Sequence, residues 1–365
     1  MTATPFRLIE TGDEAAAAVR AWGHIRMFSP WSWNIDSVAR TLLEQSGWTS
    51  PDANGLPTGR DLRERYLLPL AGLLAPDIVY GREVVSIARA DANARNGLEL
   101  RLSDGSRVAA RAVIDASGVW SGKNGLGPRG RRLEGEQACE PLIDYGPVDV
   151  LARAQVFSGR SVLVVGGGHS GMHAALDLAD LADRSGSGKV VFASRAALPD
   201  PDAATNDKFP GRTALHRRIR DAVRTGRVAL LAPFDPLALR RTAGGFELTG
   251  ITDDGRRTVE AGRLIVTTGF HPDVALTGLV GAAFDPELEC PAAFTSIVRG
   301  RTTCGEFPAF GLAELSHPVA GCFTVGIKSF GRAGSFDLQL GYRQADLVAE
   351  ALAAPPPVTR TGDVA

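Results

Sequence analysis

The residues best suited to do chemistry lie at 161–181, SVLVVGGGHSGMHAALDLADL. Ser161 and the apolar run Val162 to Val165 predict a short buried strand. Gly166, Gly168 and Gly171 then match G-x-G-x-x-G, and Met172, Ala175, Leu176, Ala179 and Leu181 share one helical face. A second strand follows in KVVFASR, 189–195. A glycine turn that ends one strand, opens a helix and precedes another strand is the setting in which this motif holds a pyrophosphate. The glycines permit a tight turn and close backbone approach, and the helix start offers unpaired N–H groups. A plain α/β crossover with a glycine-rich turn is the alternative reading. His169 and Ser170 join the glycines as cofactor-contact candidates, His169 as a packing residue rather than a base.

Where the second strand ends, an acidic residue would accept hydrogen bonds from a ribose 2′-OH and repel a 2′-phosphate. Ser194 and Arg195 stand there instead. The planar fork of arginine pairs with a phosphate, so NADPH is expected over NADH; a solvated arginine is the plainer possibility. The other histidines, His24, His173, His216, His271 and His317, fall in no Ser/His/Asp or metal-ligand pattern. Cys139, Cys290, Cys304 and Cys322 form no CxxC and have no histidine at ligand spacing. They read as small core residues of a protein in a reducing compartment, with no metal site and no redox dithiol.

An internal repeat supplies the elements that position these residues. Residues 97–118, GLELRLSDGSRVAARAVIDASG, parallel residues 245–269, GFELTGITDDGRRTVEAGRLIVTTG. Each copy runs Gly–apolar–Glu–Leu, a D-G turn, and an apolar strand ending in Ser/Thr-Gly: Ser117-Gly118 and Thr268-Gly269. Asp104-Gly105 and Asp254-Gly255 are hairpin signals. Strand-like stretches at 77–89 and 227–241 precede the copies, so each half ends in a small β-meander. In the first half, PFRLIE (5–10) ends a strand at Glu10, where an acid would bind the ribose of an adenine dinucleotide. Between that strand and the first meander lies a partly helical insertion, with helices expected over 36–47 and 58–75 and Thr58 as an N-cap. WGHIRMFSPWSWNID (22–36) holds three of the five tryptophans and is either core, a lid or the wall of a ligand pocket.

Four segments carry a family resemblance: VFSGRSVLVVGGGHSG (156–171), RAVIDASG (111–118), RLIVTTGFHPD (263–273) and GCFTVGIKSFGRAGSF (321–336). With them the chain resembles the flavoprotein oxidoreductases with two dinucleotide-binding domains, the group of flavin-containing monooxygenases and thioredoxin-reductase-like enzymes. The resemblance implies an α/β fold of two Rossmann-like dinucleotide-binding domains, each with a small β-meander, the second inserted in the first. It implies an FAD-binding-type domain over 1–148 and 288–365 and an NAD(P)-binding domain over 149–287. FAD and NADP are the implied cofactors. Glu10, Ser117, Gly118 and Gly331 would face the flavin nucleotide, Thr268 and Gly269 the nicotinamide nucleotide, and Lys328 and Arg332 would act as catalytic flavin or substrate contacts. A strand over 322–327 and a helix over 336–352, its start marked by Gly331, Arg332 and Ser335, would complete the first domain.

The chain departs from the group in three ways. It has no dithiol pair, and no FxGxxxHxxxF/Y fingerprint precedes Phe157. Only nine residues precede Glu10, too few for a strand, phosphate turn and helix, so the first FAD-binding βα unit is expected to be lacking. Ala15 to Ala18 follow where glycines would stand. The remaining strands at 5–10 and 112–117 are then expected either to pair directly or to leave a gap. An FAD-dependent, NADPH-using oxidoreductase, monooxygenase-like and acting on a small organic molecule, is the expectation. A flavin-free homologue with an NADP(H)-binding, non-redox or accessory role is the alternative.

Length and composition bound the rest. A chain of 365 residues, 44% apolar and 22% charged, is globular and long enough for two domains. Forty basic against 41 acidic residues argues against a nucleic-acid partner. HRRIRDAVR (216–224) reads as the solvated face of a helix whose Leu215, Ile219 and Val223 turn inward. No apolar run approaches the roughly 18 residues of a membrane span, and MTATPFRLIETGDE has no signal-peptide order, so a cytoplasmic enzyme is expected, with a homo-oligomer open.

Overall fold

Short strands separated by D-G, Gly and Pro turns recur along the chain. The computed structural model describes residues 4–90, 97–200, 208–300, 305 and 308–353; Cys304 lies outside them. The strands are β1 (Leu8–Glu10), β2 (Ile78–Tyr80), β3 (Val84–Arg89), β4 (Leu98–Leu102), β5 (Arg107–Ala110), β6 (Val113–Asp115), β7 (Gly122–Lys123), β8 (Ile143–Tyr145) and β9 (Ser161–Val165). They continue as β10 (Lys189–Ala193), β11 (Ala229–Leu231), β12 (Asp235–Thr242), β13 (Gly245–Thr252), β14 (Gly255–Ala261), β15 (Arg263–Val266), β16 (Phe270–His271) and β17 (Cys322–Thr324). The longer helices are α1 (Ser37–Gln45), α2 (His169–Ser185), α3 (Pro210–Arg224) and α4 (Leu338–Ala353).

The chain divides into two units: Met1–Asp13 with Leu74–Gly118 and Val274–Ala365, and Glu14–Leu73 with Val119–Asp273. This division differs from the one read from the sequence, which placed 1–148 and 288–365 together. The insertion after β1 and the stretch 119–148 belong with the second unit, and 274–287 with the first. Packing accounts for the first two of these differences. Phe28 and Trp33 of the insertion lie against Phe209 at ring distances of 5.3 and 5.1 Å, and β8 is an edge strand of the second unit's sheet.

In the second unit, β11-β10-β9-β15-β8 form a parallel sheet. Alternation along the central strands sends residues to opposite faces. Val162, Val164, Phe192 and Ile265 pack with Met172, Ala175, Leu176 and Ala179 of α2. Leu163, Val165, Val191, Leu264 and Val266 pack on Leu239, Phe246 and Leu248 of the β12-β13-β14 meander. The helical face read from the sequence is thus the buried one, and α3 likewise buries Leu215 and Ile219. Three tryptophans of the insertion are packing residues. Trp31 is buried, Trp33 meets Phe209 edge-on, and the Trp22 ring lies 2.5 Å from where a Cβ on Gly59 would stand. The insertion's helices start on side-chain caps: Asp36 accepts from Ala39 N at 2.8 Å, and Thr58 and Asp61 cap each other.

In the first unit, the β3-β4-β5 meander has the turn expected at Asp104-Gly105, where Gly105 has φ +85°. Parallel pairs β1-β2 and β6-β17 are separate ribbons. The strands expected at 5–10 and 112–117 therefore do not pair with each other. The strand expected over 322–327 is shorter, because a helical turn begins at Gly326. Among the described residues no helix is long and apolar enough to cross a membrane.

Candidate functional site

Around the glycine turn of the second unit, three glycines have reasons inside the protein and one does not. Gly166 has φ +127°, and a Cβ there would lie 2.3 Å from the Thr267 carbonyl oxygen. A Cβ on Gly171 would lie 2.0 Å from the Gly166 carbonyl oxygen, and one on Gly167 would lie 2.3 Å from Ser194 Oγ. Gly168 sits at φ −82°, ψ −179°, backbone that any residue adopts, and a Cβ there would meet nothing within 4 Å. Gly168 is also the N-cap of α2 and provides no side-chain cap to the helix's first N–H groups. A helix start carries roughly half a positive charge and unpaired donors. The turn therefore presents bare backbone and a positive helix end on its open side, a surface suited to an anion such as a pyrophosphate.

The structure places Gly166, Gly168, His169, Ser170 and Gly171 at the junction of β9 and α2 and brings Ser194 against it from the end of β10, but Ser194 does not present its hydroxyl. It is buried and donates to the Ala196 carbonyl at 2.6 Å. Its role is to close the space that makes Gly167 a glycine. Arg195, next along, is exposed at the end of β10. Thr268 faces away from the turn, its hydroxyl between the Asn124 and Gly125 carbonyls at 3.1 and 3.0 Å. Gly269 (φ +92°) follows, and its carbonyl accepts from Asn124 N. The threonine that touches the turn is Thr267, whose hydroxyl lies 3.1 Å from the Val165 carbonyl and 3.2 Å from that of Gly166. Neither Gly167 nor Thr267 is marked by the motif; the run of three glycines and the Thr-Thr pair were the available signals.

His169 opens α2, and His173 lies one turn on, their rings stacked at 4.7 Å and 12°. The two Nε2 atoms are 2.9 Å apart, so one ring holds the proton and the other accepts it. His169 Nε2 is also 3.2 Å from the Arg26 carbonyl, and its ring is 5.1 Å from Phe28. The insertion is thereby bound to the first turn of α2, a contact no sequence pattern signalled. Burial pushes His169 down to about 4; burial and the His169 neighbour push His173 down to about 3. A histidine with a depressed folded pKa binds fewer protons than in the unfolded chain, so its contribution is full above pH 6.5 and is lost as pH falls toward the folded values. We expect the pair to lose about 1–2 kcal/mol of stability between pH 7 and pH 5, after discounting for partial exposure. Thermal unfolding at the two pH values checks this, and His173→Phe should flatten the difference.

In the first unit the structure joins Ser117 to Lys328. Lys328 Nζ lies 2.6 Å from Asp115 Oδ2 and 2.9 Å from Ser117 Oγ, and Lys328 is 1% exposed. Asp115 Oδ1 also accepts from Ser117 N and Oγ at 3.1 and 2.7 Å. The strand end is closed by its own side chains, and the ammonium read as a catalytic contact is a buried ion-pair member. Arg332 pairs with Glu289 at 2.8 Å. Gly331 (φ +60°) is glycine because a Cβ would lie 2.0 Å from the Leu288 carbonyl oxygen. Gly118 has φ +75°, and Ile327 Cγ2 would lie 3.8 Å from a Cβ there. Glu10, at the end of β1, accepts from Gly12 N at 2.7 Å. The Gly331–Arg332 turn follows directly on Lys328, whose carbonyl accepts from Gly331 N at 3.0 Å, while the Arg332 guanidinium pairs with Glu289.

No family model matches the chain. It is 28% identical over 191 residues to a ferredoxin–NADP reductase of Gluconobacter oxydans (strain 621H), covering 51% of this chain and 50% of that protein. The chain spans about half the length of the curated relatives it matches. Among solved structures it is similar to the bacillithiol disulfide reductase of Bacillus cereus, at TM-score 0.67 and 17% identity over 94% of this chain and 90% of that one. It is also similar to the FAD-bound cadaverine monooxygenase of Erwinia amylovora, at TM-score 0.68 and 13% identity over 97% and 89% of the two chains. By sequence similarity and by fold, the chain matches the flavoprotein oxidoreductases with two dinucleotide-binding domains.

Proposed function

We propose that this chain is an FAD- and NADPH-dependent oxidoreductase, monooxygenase-like and acting on a small organic molecule. One observation carries the reading: Gly168 is a glycine that nothing within the protein requires, at the one point where the turn meets open space. The residues present fit a pyrophosphate there, with the N–H groups of Gly167 and Gly168 and the first N–H groups of α2 as donors, the Gly166 N–H being bonded to the Ala193 carbonyl. Thr267 holds the turn from behind, through the Val165 and Gly166 carbonyls. Arg195 stands where a 2′-phosphate would be read. For the flavin, Glu10 at the end of β1 and the positive-φ Gly118 after β6 are the residues that would hold ribose and backbone-contacting groups. When bound, FAD supplies hydride acceptance from NADPH and onward transfer to oxygen or an organic acceptor. The free cysteines Cys139, Cys290 and Cys322 sit in three different buried clusters, which favours an acceptor other than an internal disulfide.

NADPH should bind more tightly than NADH by roughly 1–3 kcal/mol, the scale of a charge-assisted hydrogen-bond set. Arg195→Ala should remove most of that preference while leaving NADH binding unchanged. Fluorescence titration of both nucleotides measures it, and equal affinities in the unmutated chain would remove the 2′-phosphate role of Arg195. A second reading, a flavin-free NADP(H)-binding protein with an accessory role, is favoured by the Asp115–Ser117–Lys328 cluster that closes the end of β6. A visible absorption spectrum of the purified protein, with its turnover of NADPH, decides between the two.

A further inference from the structure

The end of the second unit's sheet opposite the glycine turn carries another set of anion donors. Arg160 precedes β9, Ser161 begins it, Gly262 leads into β15, and Thr242 to Gly245 make the hairpin between β12 and β13. Together with Leu142 these segments line a cavity of about 420 Å³ that opens to solvent. The Ser161 carbonyl accepts from Gly262 N at 2.9 Å, which sets the two strand starts side by side. A Cβ on Gly262 would lie 3.6 Å from the Ser161 carbonyl oxygen and 3.9 Å from that of Gly244, so the hairpin tip meets the strand starts there. Ser161 stands at the other end of β9 from the glycine turn. At ~3.3 Å per residue, the strand separates the cavity from Gly166 by about 16 Å.

The charged side chains of this lining are both cationic. Arg160 and Arg241 are exposed, and no carboxylate stands beside them in the cavity wall. Among the described residues the Arg160 guanidinium has no partner, and Arg241 makes one bond, from Nη1 to the Ala138 carbonyl at 3.1 Å. Acids of the adjoining segments are engaged elsewhere: Asp144 by Arg153 and Arg263, Glu140 by Arg132, and Glu247 by Arg240. The Ser161 hydroxyl has no hydrogen-bond partner among the described residues, and neither have the N–H groups of Ala243 and Gly244. Two guanidinium groups, a hydroxyl and two backbone donors therefore border one cavity with little inside the protein to satisfy them. Gly244 carries the same mark as Gly168. Its backbone lies outside the left-handed region, and a Cβ there would meet nothing within 4 Å. Gly245 beside it is a packing glycine, whose Cβ would lie 2.1 Å from the Ala261 carbonyl oxygen.

We propose that this cavity binds the phosphate group of a small molecule, as a second anion site at the far end of β9 from the glycine turn. Guanidinium forks match phosphate oxygens in geometry, and charge-assisted bonds are about twice as strong as neutral ones. A phosphate carries nearly two charges at pH 7 and three strong acceptor oxygens. Donors that come from three separate elements suit such a tetrahedral group, whereas one fork satisfies a planar carboxylate. The cavity falls in the size range of small-molecule sites, which leaves room for the organic part of a phosphate ester. The proposal rests on these donors and does not depend on which nucleotide the glycine turn holds.

The test titrates inorganic phosphate, glycerol 3-phosphate and malonate into the 365-residue chain at constant ionic strength, reading heat release and melting temperature. We expect both phosphates to bind saturably and to raise the melting temperature, and malonate to bind about tenfold more weakly or less. Arg160→Gln and Arg241→Gln should each weaken phosphate binding about tenfold, the scale of one charge-assisted bond. Both side chains are exposed, so the melting temperature without phosphate should not move. Gly244→Asp, which brings a carboxylate to the hairpin tip without a clash, should abolish binding. Each titration is repeated in Gly168→Val, where the glycine turn is blocked and phosphate binding should persist. Tighter binding of glycerol 3-phosphate assigns the site to an esterified phosphate and the reverse order to the free ion; either order supports the proposal. Binding that is absent, matched by malonate, lost in Gly168→Val, or unchanged in all three cavity variants overturns it.

Discussion

Gly168→Val should abolish NADPH binding while the protein stays folded. A valine at that point projects from the turn into the space where a pyrophosphate would lie, and it breaks no contact within the chain, since a Cβ there meets nothing within 4 Å. The backbone at φ −82°, ψ −179° accepts valine without strain. The stability cost is confined to a poorer N-cap, about 1 kcal/mol. The expected loss of affinity is about 100-fold or more, about 2.7 kcal/mol. Gly171→Ala is the control with the opposite signature: its Cβ would lie 2.0 Å from the Gly166 carbonyl oxygen, so it should unfold the unit at a lower temperature. Titration and thermal unfolding of both variants separate a ligand-imposed glycine from a packing-imposed one. A Gly168→Val protein that binds NADPH normally would make the turn structural and remove the observation on which the functional reading rests.

The second large effect is expected at Lys328. Lys328→Met removes the partner of a carboxylate that is itself buried, and an uncompensated buried charge costs about 3–5 kcal/mol. Asp115 is held by Ser117 N and Oγ in addition to Lys328, so it remains in place and unpaired in the variant. Adding Asp115→Asn to Lys328→Met should recover part of the loss, because the neutral pair leaves no charge behind. Denaturant unfolding of the wild-type, single and double variants measures this. A Lys328→Met protein of unchanged stability but lower turnover would return Lys328 to the catalytic role expected from its sequence context.

The local elements were legible in the residues themselves. The apolar run 162–165, the glycine spacing and the 3.6-residue period of Met172, Ala175, Leu176 and Ala179 were enough to give a strand, a turn and a buried helix face, because each is set by neighbours within a few positions. The repeated D-G turns marked both meanders for the same reason, and the motif marked Gly166, Gly168 and Gly171 alike. What the motif could not separate was which glycines answer to the protein and which to a ligand. That depends on Thr267 and Ser194, which other strands bring to the turn.

Three things were decided only by tertiary structure. The insertion follows β1 in sequence yet packs with the second unit, because Phe28 and Trp33 find Phe209 and Phe28 also reaches His169. Lys328, isolated in sequence, becomes half of a buried ion pair with a residue 213 positions away. The residues left open whether the strands at 5–10 and 112–117 pair directly or leave a gap, and only the structure shows that β1 bonds β2 while β6 bonds β17. Hydrogen bonds between strands and contacts between distant side chains are non-local, and their free energy is not written in any window of sequence; local periodicity and turn chemistry are, and so the sequence alone determined the elements while the tertiary structure decided their partners.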